Sequence, residues 1–241
     1  MKKLIFVLLS VSFFSCQTPK ENSPAKFKVE YNGALKNMMQ KADISGKVEL
    51  SKFKDVKHFY ALGAIENLKG EIQIFNSVPT NSYVSKNFLK TDKTFNKRAT
   101  LLVYASVEKW KSLKIPAEVI TYKQFEEFIK KAASENGINT EEPFPFLLEG
   151  VIQKFDWHVI NWRDGDTIHT HKKHKTKGMY GTIKNKEVEM LGFYSEKHKA
   201  IFTHHTRNSH IHVKMSGNGV AGHVDDLLLD IGMILKLPDV N

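Results

Sequence analysis

"SHIHVKMSGNGVAGHVDDLLL", residues 209–229, reads as two strand-like segments around a glycine-rich turn. From Ser209 to Lys214 polar and apolar side chains alternate. Successive side chains on a strand point to opposite sides, so His210 and His212 share one face. Gly217, Gly219 and Gly222 then give a turn from which His223 can return beside the pair. Three neutral imidazoles with an open fourth position is how a catalytic zinc is held. The bland reading is a solvated strand face, with His223 merely following a turn. Spacing alone leaves both readings open.

The strand reading extends outward from this stretch. After "EEPFP", at 141–145, the segments "FLLEGVIQKFDWHVI", "GMYGTIK", "VEMLGFYS" and "KAIFTHH" all read as strands joined by loops. In the tail, "LLLDIGMILKL" is apolar at every odd position from Leu227 to Leu237, which predicts one further strand. Upstream, Phe59 to Ile65 and Glu71 to Phe75 are strand-like on either side of the turn "ENLKG", and "TLLVYASV" is another strand. Two helices stand out. "NGALKNMMQKAD" spaces Leu35, Met38 and Met39 helically. "TYKQFEEFIKKAASENG" has a capping box in Thr121 and Gln124, an apolar stripe of Phe125, Phe128 and Ile129, and a terminator in Gly137. The pattern predicts an α+β fold with an extensive mixed or antiparallel sheet, a small barrel-like sheet and a few helices. It divides into an N-terminal α+β half, 27–140, and a C-terminal β-rich half, 141–241, which carries the histidines.

The first residues stand apart. "MKKLIFVLLSVSFFSC" has two lysines, a short apolar run and the chain's single cysteine, the pattern of an export signal over residues 1–15. The run is too short to span a bilayer. Cys16 sits where a bacterial lipoprotein is cleaved and acylated, and plain secretion is the alternative. Residues 16–26, polar and with two prolines, read as a tether. These features predict an exported lipoprotein that meets the membrane only through its N-terminal lipid. With no second cysteine, no disulfide can form. The net charge of +10 becomes +8 without Lys2 and Lys3, because 34 basic residues then face 26 acidic ones. The basic residues are dispersed and no nucleic-acid motif accompanies them, so nucleic acid is not expected as a partner.

Two other features bear on chemistry. "HTHKKHK" supplies His169, His171 and His174, but among lysines that repel a cation, so a solvated basic loop is the favoured reading. Glu71 opens an alternating strand, and matters only if that strand faces the histidines.

Taken together, "SHIHVKMSGNGVAGHVDDL" resembles the zinc-binding segment of the acetolactate decarboxylases, in its His-x-His, the ten-residue gap and the Gly-His-Val-x-Asp ending. "YALGAIENLKGEIQIF" resembles that family's early strand pair. "FPFLLEGVIQKF" and "MYGTIKNKEVEMLGFYSEKHKAIFTHHTRNSHIHV" follow its order and spacing. The blocks cover roughly residues 57–235. The resemblance implies Zn2+ on His210, His212 and His223, with Glu71 as the active-site carboxylate. It also implies a small keto- or hydroxy-acid substrate, 2-acetolactate, converted to acetoin and CO2, and a possible homodimer. In such chemistry the metal is a Lewis acid and a positioned group returns a proton after CO2 departs.

The departures are specific. The family's Gly-Thr-Phe reads Gly63-Ala64-Ile65, and Lys69 replaces an aspartate. The family's carboxylate-holding arginine falls near Trp157 or His158, and the next arginine is Arg163. His158 is the candidate to supply a charge or a proton there, although it lacks the guanidinium fork. No glutamate follows Glu196 to match the family's C-terminal one. A divergent zinc protein of the same fold, with another substrate or none, is therefore the alternative function.

Overall fold

The alternating segments Phe59–Ile65 and Glu71–Phe75 form a β-hairpin at the centre of the first of two antiparallel sheets. The computed structural model describes residues 26–168, 170, 173, 178–215 and 220–240. Cys16 with its leader, His169, His171, His174, Gly217 and Gly219 lie outside the described residues.

The first sheet contains β1 (Glu30–Asn32), β2 (Val48–Glu49), β3 (Phe59–Ile65), β4 (Glu71–Phe75), β5 (Val78–Ser85), β6 (Phe88–Asp92) and β7 (Arg98–Ser106). Its order is β1-β7-β3-β4-β5-β6, with β2 also paired to β7. The second contains β8 (Trp110–Lys114), β9 (Phe144–Val159), β10 (Met179–Tyr194), β11 (Ser209–Lys214), β12 (Ala221–Leu228) and β13 (Ile234–Pro238). Within it β9 pairs with β10, β10 with β11, β11 with β12, and β12 again with β9. Those four strands close a ring, the small barrel expected from the sequence. β13 and β8 continue the sheet from β9. With α1 (Leu35–Lys41) and α2 (Tyr122–Glu135), the class is α+β. The change of sheet falls between β7 and β8, so the second sheet draws a strand from either side of residue 140.

Burial follows the sequence periodicity. β3 is covered on both faces and is accordingly apolar almost throughout. On β4, Ile72 and Ile74 join Phe59 and Leu102 on the outer face of the first sheet. The opposite face of β4 carries Glu71 and Gln73, both buried and turned toward the second sheet. Leu62, Leu101 and Val103 meet Leu147, Leu191 and Phe193 between the two sheets. On α2, Phe125 and Ile129 are fully buried against Phe144, Phe146 and Phe155. Each such side chain contributes about 2 kcal/mol by leaving water. The capping box forms as the sequence predicts: the Thr121 hydroxyl accepts the Gln124 N–H at 3.3 Å, and Gln124 Oε1 accepts the Thr121 N–H at 2.9 Å. Met39, read as apolar-face, is more than a third exposed, and only Met38 of that pair reaches the core.

Three strand expectations differ from the structure. "GMYGTIK" and "VEMLGFYS" are parts of one 16-residue strand, β10. "KAIFTHH" is a run of turns with Ala200 at positive φ and an isolated Lys199–Thr203 bridge. The tail is two strands rather than one. Gly232 adopts φ +94, Asp230 accepts the Ile231 N–H at 2.7 Å, and Ile231 is 79% exposed. A turn at 230–232 thus separates β12 from β13, and two-residue periodicity cannot see it because the chain resumes in phase.

α2 also fixes where β11 begins. Glu126 Oε1 accepts the backbone N–H of Asn208 and of Ser209, each at 2.8 Å, and the Ser209 hydroxyl at 2.6 Å. Glu126→Ala leaves three donors without that acceptor in a buried setting. A loss of about 3 kcal/mol is expected, read as a lower urea midpoint at unchanged slope.

Candidate metal and active site

Strand pairing assembles the site. In the register of β11, β12 and β9, His212 lies opposite His223 and His223 opposite His158. Gly222 permits the approach of β12 to β9, because a Cβ there would come within 2.6 Å of the His158 carbonyl oxygen. His210 lies two residues from His212 on the same face of β11. The four rings form one cluster: His158–His223 centroids are 4.7 Å apart, His210–His223 5.0 Å, His210–His212 4.9 Å and His212–His223 5.6 Å. From the first sheet, β4 brings Glu71, whose Oε2 is 3.9 Å from His212 Nε2 and whose Oε1 is 3.9 Å from His158 Nε2. Glu71 Oε1 also accepts the Ile160 N–H at 3.2 Å.

Every described candidate from the sequence therefore reaches one place: Glu71, His158, His210, His212 and His223. All but His212 line a cavity of ≈ 240 Å³, and His212 lies fully buried behind it. Leu35, Met38, Leu68, Leu101, Ile160 and Phe202 make the apolar wall. Ala64 is also at the wall, beside Glu71 in the β3–β4 register, so no hydroxyl is offered there. Lys69 points elsewhere: it donates to the Trp162 carbonyl at 2.6 Å and pairs with Asp164. Arg163 is exposed.

A chain of hydrogen bonds determines the tautomer of His212. Gln73 Nε2 donates to the Thr80 carbonyl at 2.6 Å, which orients the amide. Its Oε1 then faces His212 Nδ1 at 2.7 Å. An amide oxygen only accepts, so Nδ1 carries the proton and the lone pair sits on Nε2. That lone pair faces His210 Nε2 at 3.1 Å. Two imidazole nitrogens at this separation are satisfied by one shared proton or by one cation, since Zn–N bonds are about 2.0–2.1 Å. Burial, and next the neighbouring His223, hold His210 well below the usual histidine range. Burial, followed by His210 and His223, does the same to His212. Both are neutral and fit as ligands. Imidazole donors beside a carboxylate suit zinc and other borderline first-row ions. A second grouping adds to this. Donor atoms of His158, His223 and Asp225 all lie within 4.8 Å of one another.

The carboxylates respond in opposite directions. Burial, reinforced by the charge of Asp225 and only partly offset by the Ile160 N–H, pushes Glu71 well above the usual range. Burial also acts to raise Asp225, but bonds from His158 and His223 outweigh it and hold it well below that range.

Four contributors were not picked out from sequence. Gln73 shares a strand face with Glu71, and Asp225 sits two residues beyond His223; both follow from two-residue periodicity. Glu126 and Arg207 have no comparable local signal. Arg207 is the single Lys or Arg among the described residues lining the cavity. Its guanidinium lies 4.1 Å over the Tyr122 ring and 3.3 Å from Asp226 Oδ1.

The chain is similar in fold to several solved structures. An alpha-acetolactate decarboxylase from Bacillus subtilis strain 168 superposes with TM-score 0.69 at 14% identity, covering 87% of this chain and 85% of that one. The acetolactate decarboxylase of Bacillus subtilis subspecies spizizenii gives 0.69 at 15% identity, with the same coverage. A Staphylococcus aureus protein of unknown function, described as similar to alpha-acetolactate decarboxylase, gives 0.64 at 10% identity, covering 86% and 84%. The relation is one of fold. No protein-family model and no curated protein sequence matches the chain.

The pH dependence of the metal-free protein follows from these shifts. His210 and His212 bind protons in the unfolded chain below about pH 6.5 but not in the folded one, so stability falls as pH drops through 6.5. Glu71, protonated when folded, acts in the other direction above about pH 4.5, where the unfolded chain has lost that proton. Urea unfolding between pH 5 and 8 is expected to show greatest stability near pH 6.5, a fall above it while folded Glu71 keeps its proton, and a decline below it. Glu71→Gln is expected to steepen that decline.

Proposed function

We propose that this chain is a zinc-dependent lyase of the acetolactate decarboxylase type, acting on 2-acetolactate or a related 2-hydroxy-3-keto acid. The observation that carries the reading is the His210–His212 pair, with its lone pair fixed by Gln73, beside a buried Glu71 at a cavity in this fold. His210, His212 and His223 would hold the ion. When bound, it supplies a Lewis acid to the substrate's keto and hydroxyl oxygens. The apolar wall excludes water from the reacting carbons. Arg207, at the rim, anchors the substrate carboxylate, the role left vacant at Trp157 and His158. When CO2 departs, the electron pair of the broken C–C bond stays on the remaining carbon skeleton. Glu71 is the proton source for that carbon, with His158, 3.9 Å from it, as its relay partner.

In a coupled assay of bound metal and acetoin formed from racemic acetolactate, about one tight zinc per chain and measurable turnover are expected. His212→Ala loses both. Glu71→Gln keeps the metal and lowers kcat by about 10²-fold or more. Arg207→Ala raises KM about 10-fold or more with a smaller change in kcat, as for a lost charged hydrogen bond.

A second reading is favoured by Ala64, which offers no hydroxyl beside Glu71: a zinc protein of this fold with another substrate. Stoichiometric zinc without acetoin decides for it. For either reading we place the domain outside the cytoplasm on a lipid at Cys16. Metabolic labelling with a palmitate analogue is expected to mark the chain and to fail in Cys16→Ser.

A further inference from the structure

We infer that Asp225 is a positioning residue shared by two histidines, holding the Nδ1 edges of His158 and His223 together so that both rings present Nε2 to the cavity. The inference rests on the reading that these histidines serve a metal site. Asp225 Oδ1 lies 2.9 Å from His158 Nδ1 and 3.4 Å from His223 Nδ1. His158 thus spans two carboxylates, with Nδ1 toward Asp225 and Nε2 toward Glu71. A carboxylate that accepts Nδ1–H fixes the tautomer and orientation of an imidazole and makes its Nε2 a better donor. Here one carboxylate bonds His158 and lies 3.4 Å from the Nδ1 edge of His223 on the adjacent strand.

Strand irregularity puts Asp225 there. In the β12–β9 register Val224 pairs with Trp157, but Asp226 rather than Asp225 pairs with Asp156. Asp225 is the extra residue of a β-bulge, which re-aims a side chain and leaves it out of the ladder. Two residues beyond His223 it keeps that residue's face, but without the bulge it would be paired with Asp156. Released from that pairing, it lines the cavity with both histidines. Its side chain is 8% exposed, so solvent does not replace the contact. From the facing sheet Gln73 orients His212 in the same manner. His158 and His212 are therefore hydrogen-bonded on Nδ1, and His223 meets Asp225 there at 3.4 Å.

The test is competitive titration of zinc and cobalt into the full-length chain, its Asp225→Asn and Asp225→Ala variants, with apoprotein melting recorded alongside. One tight ion is expected in each. Affinity falls about 10- to 100-fold in the variants, the size measured when such outer partners are removed. The cobalt visible spectrum changes as the ring of His223 loses its orientation. In wild type, the Nδ1 protons of His158 and His223 are expected as hydrogen-bonded resonances in imidazole ¹⁵N correlation spectra, both lost in Asp225→Ala. A lower melting temperature with wild-type affinity and spectrum would mean that Asp225 only supports the fold, and would overturn the inference. So would a second tight ion in wild type that disappears in Asp225→Ala, which would make Asp225 a ligand. Failure of wild type to bind either metal would overturn the metal reading itself, and the inference with it.

Discussion

The hydrogen bond between His212 Nδ1 and the Gln73 amide oxygen joins the two sheets at their most buried polar point. Neither partner reaches water, so each must be satisfied by the other. Gln73 is in turn held by the Thr80 carbonyl on the neighbouring strand. The bond thus orders three things together: the tautomer of His212, the depth at which β4 meets β11, and the place of Glu71 two residues away. A slip of one residue in β4 would exchange Glu71 and Gln73 for Ile72 and Ile74. The imidazoles would then face hydrocarbon. The site and the packing of the two sheets are one arrangement.

Around that bond, burial sets the charges. Within a few ångströms, Glu71 is pushed toward its neutral form while Asp225 stays ionised. The difference lies in their partners. Glu71 receives one backbone N–H and sits near another carboxylate, whereas Asp225 has two imidazole edges. Carboxyl groups held in different protonation states are what acid–base chemistry in a closed cavity needs. The neutral histidines and the proton on Glu71 are maintained by desolvation, and the anion at Asp225 by its two imidazole neighbours against it, so all depend on the apolar wall and on one another.

Much of this was legible in the chain, for local reasons. The alternation of Ser209–Lys214 places His210 and His212 on one face, and antiparallel pairing of β12 with β11 sets His223 opposite His212. The helix at 121–137 announces itself through its cap, stripe and terminator. The tail was not legible as two strands, because the turn at Gly232 preserves the alternation on either side. Arg207 was not legible either. It brings a cation to the cavity from a loop that shows no motif.

The sequence by itself therefore determined which strand faces the candidate histidines and Glu71 occupy, because side-chain alternation and turn-forming glycines act over short distances. Only the tertiary structure decided that β4 lies across from β11 and β12. It alone brought Glu71 and Gln73 to the histidines, bulged Asp225 between His158 and His223, and set Arg207 at the rim. Those juxtapositions join residues as far as 139 positions apart, through the burial of two sheet faces. Burial is a property of the assembled surface, and no short stretch of the chain encodes it.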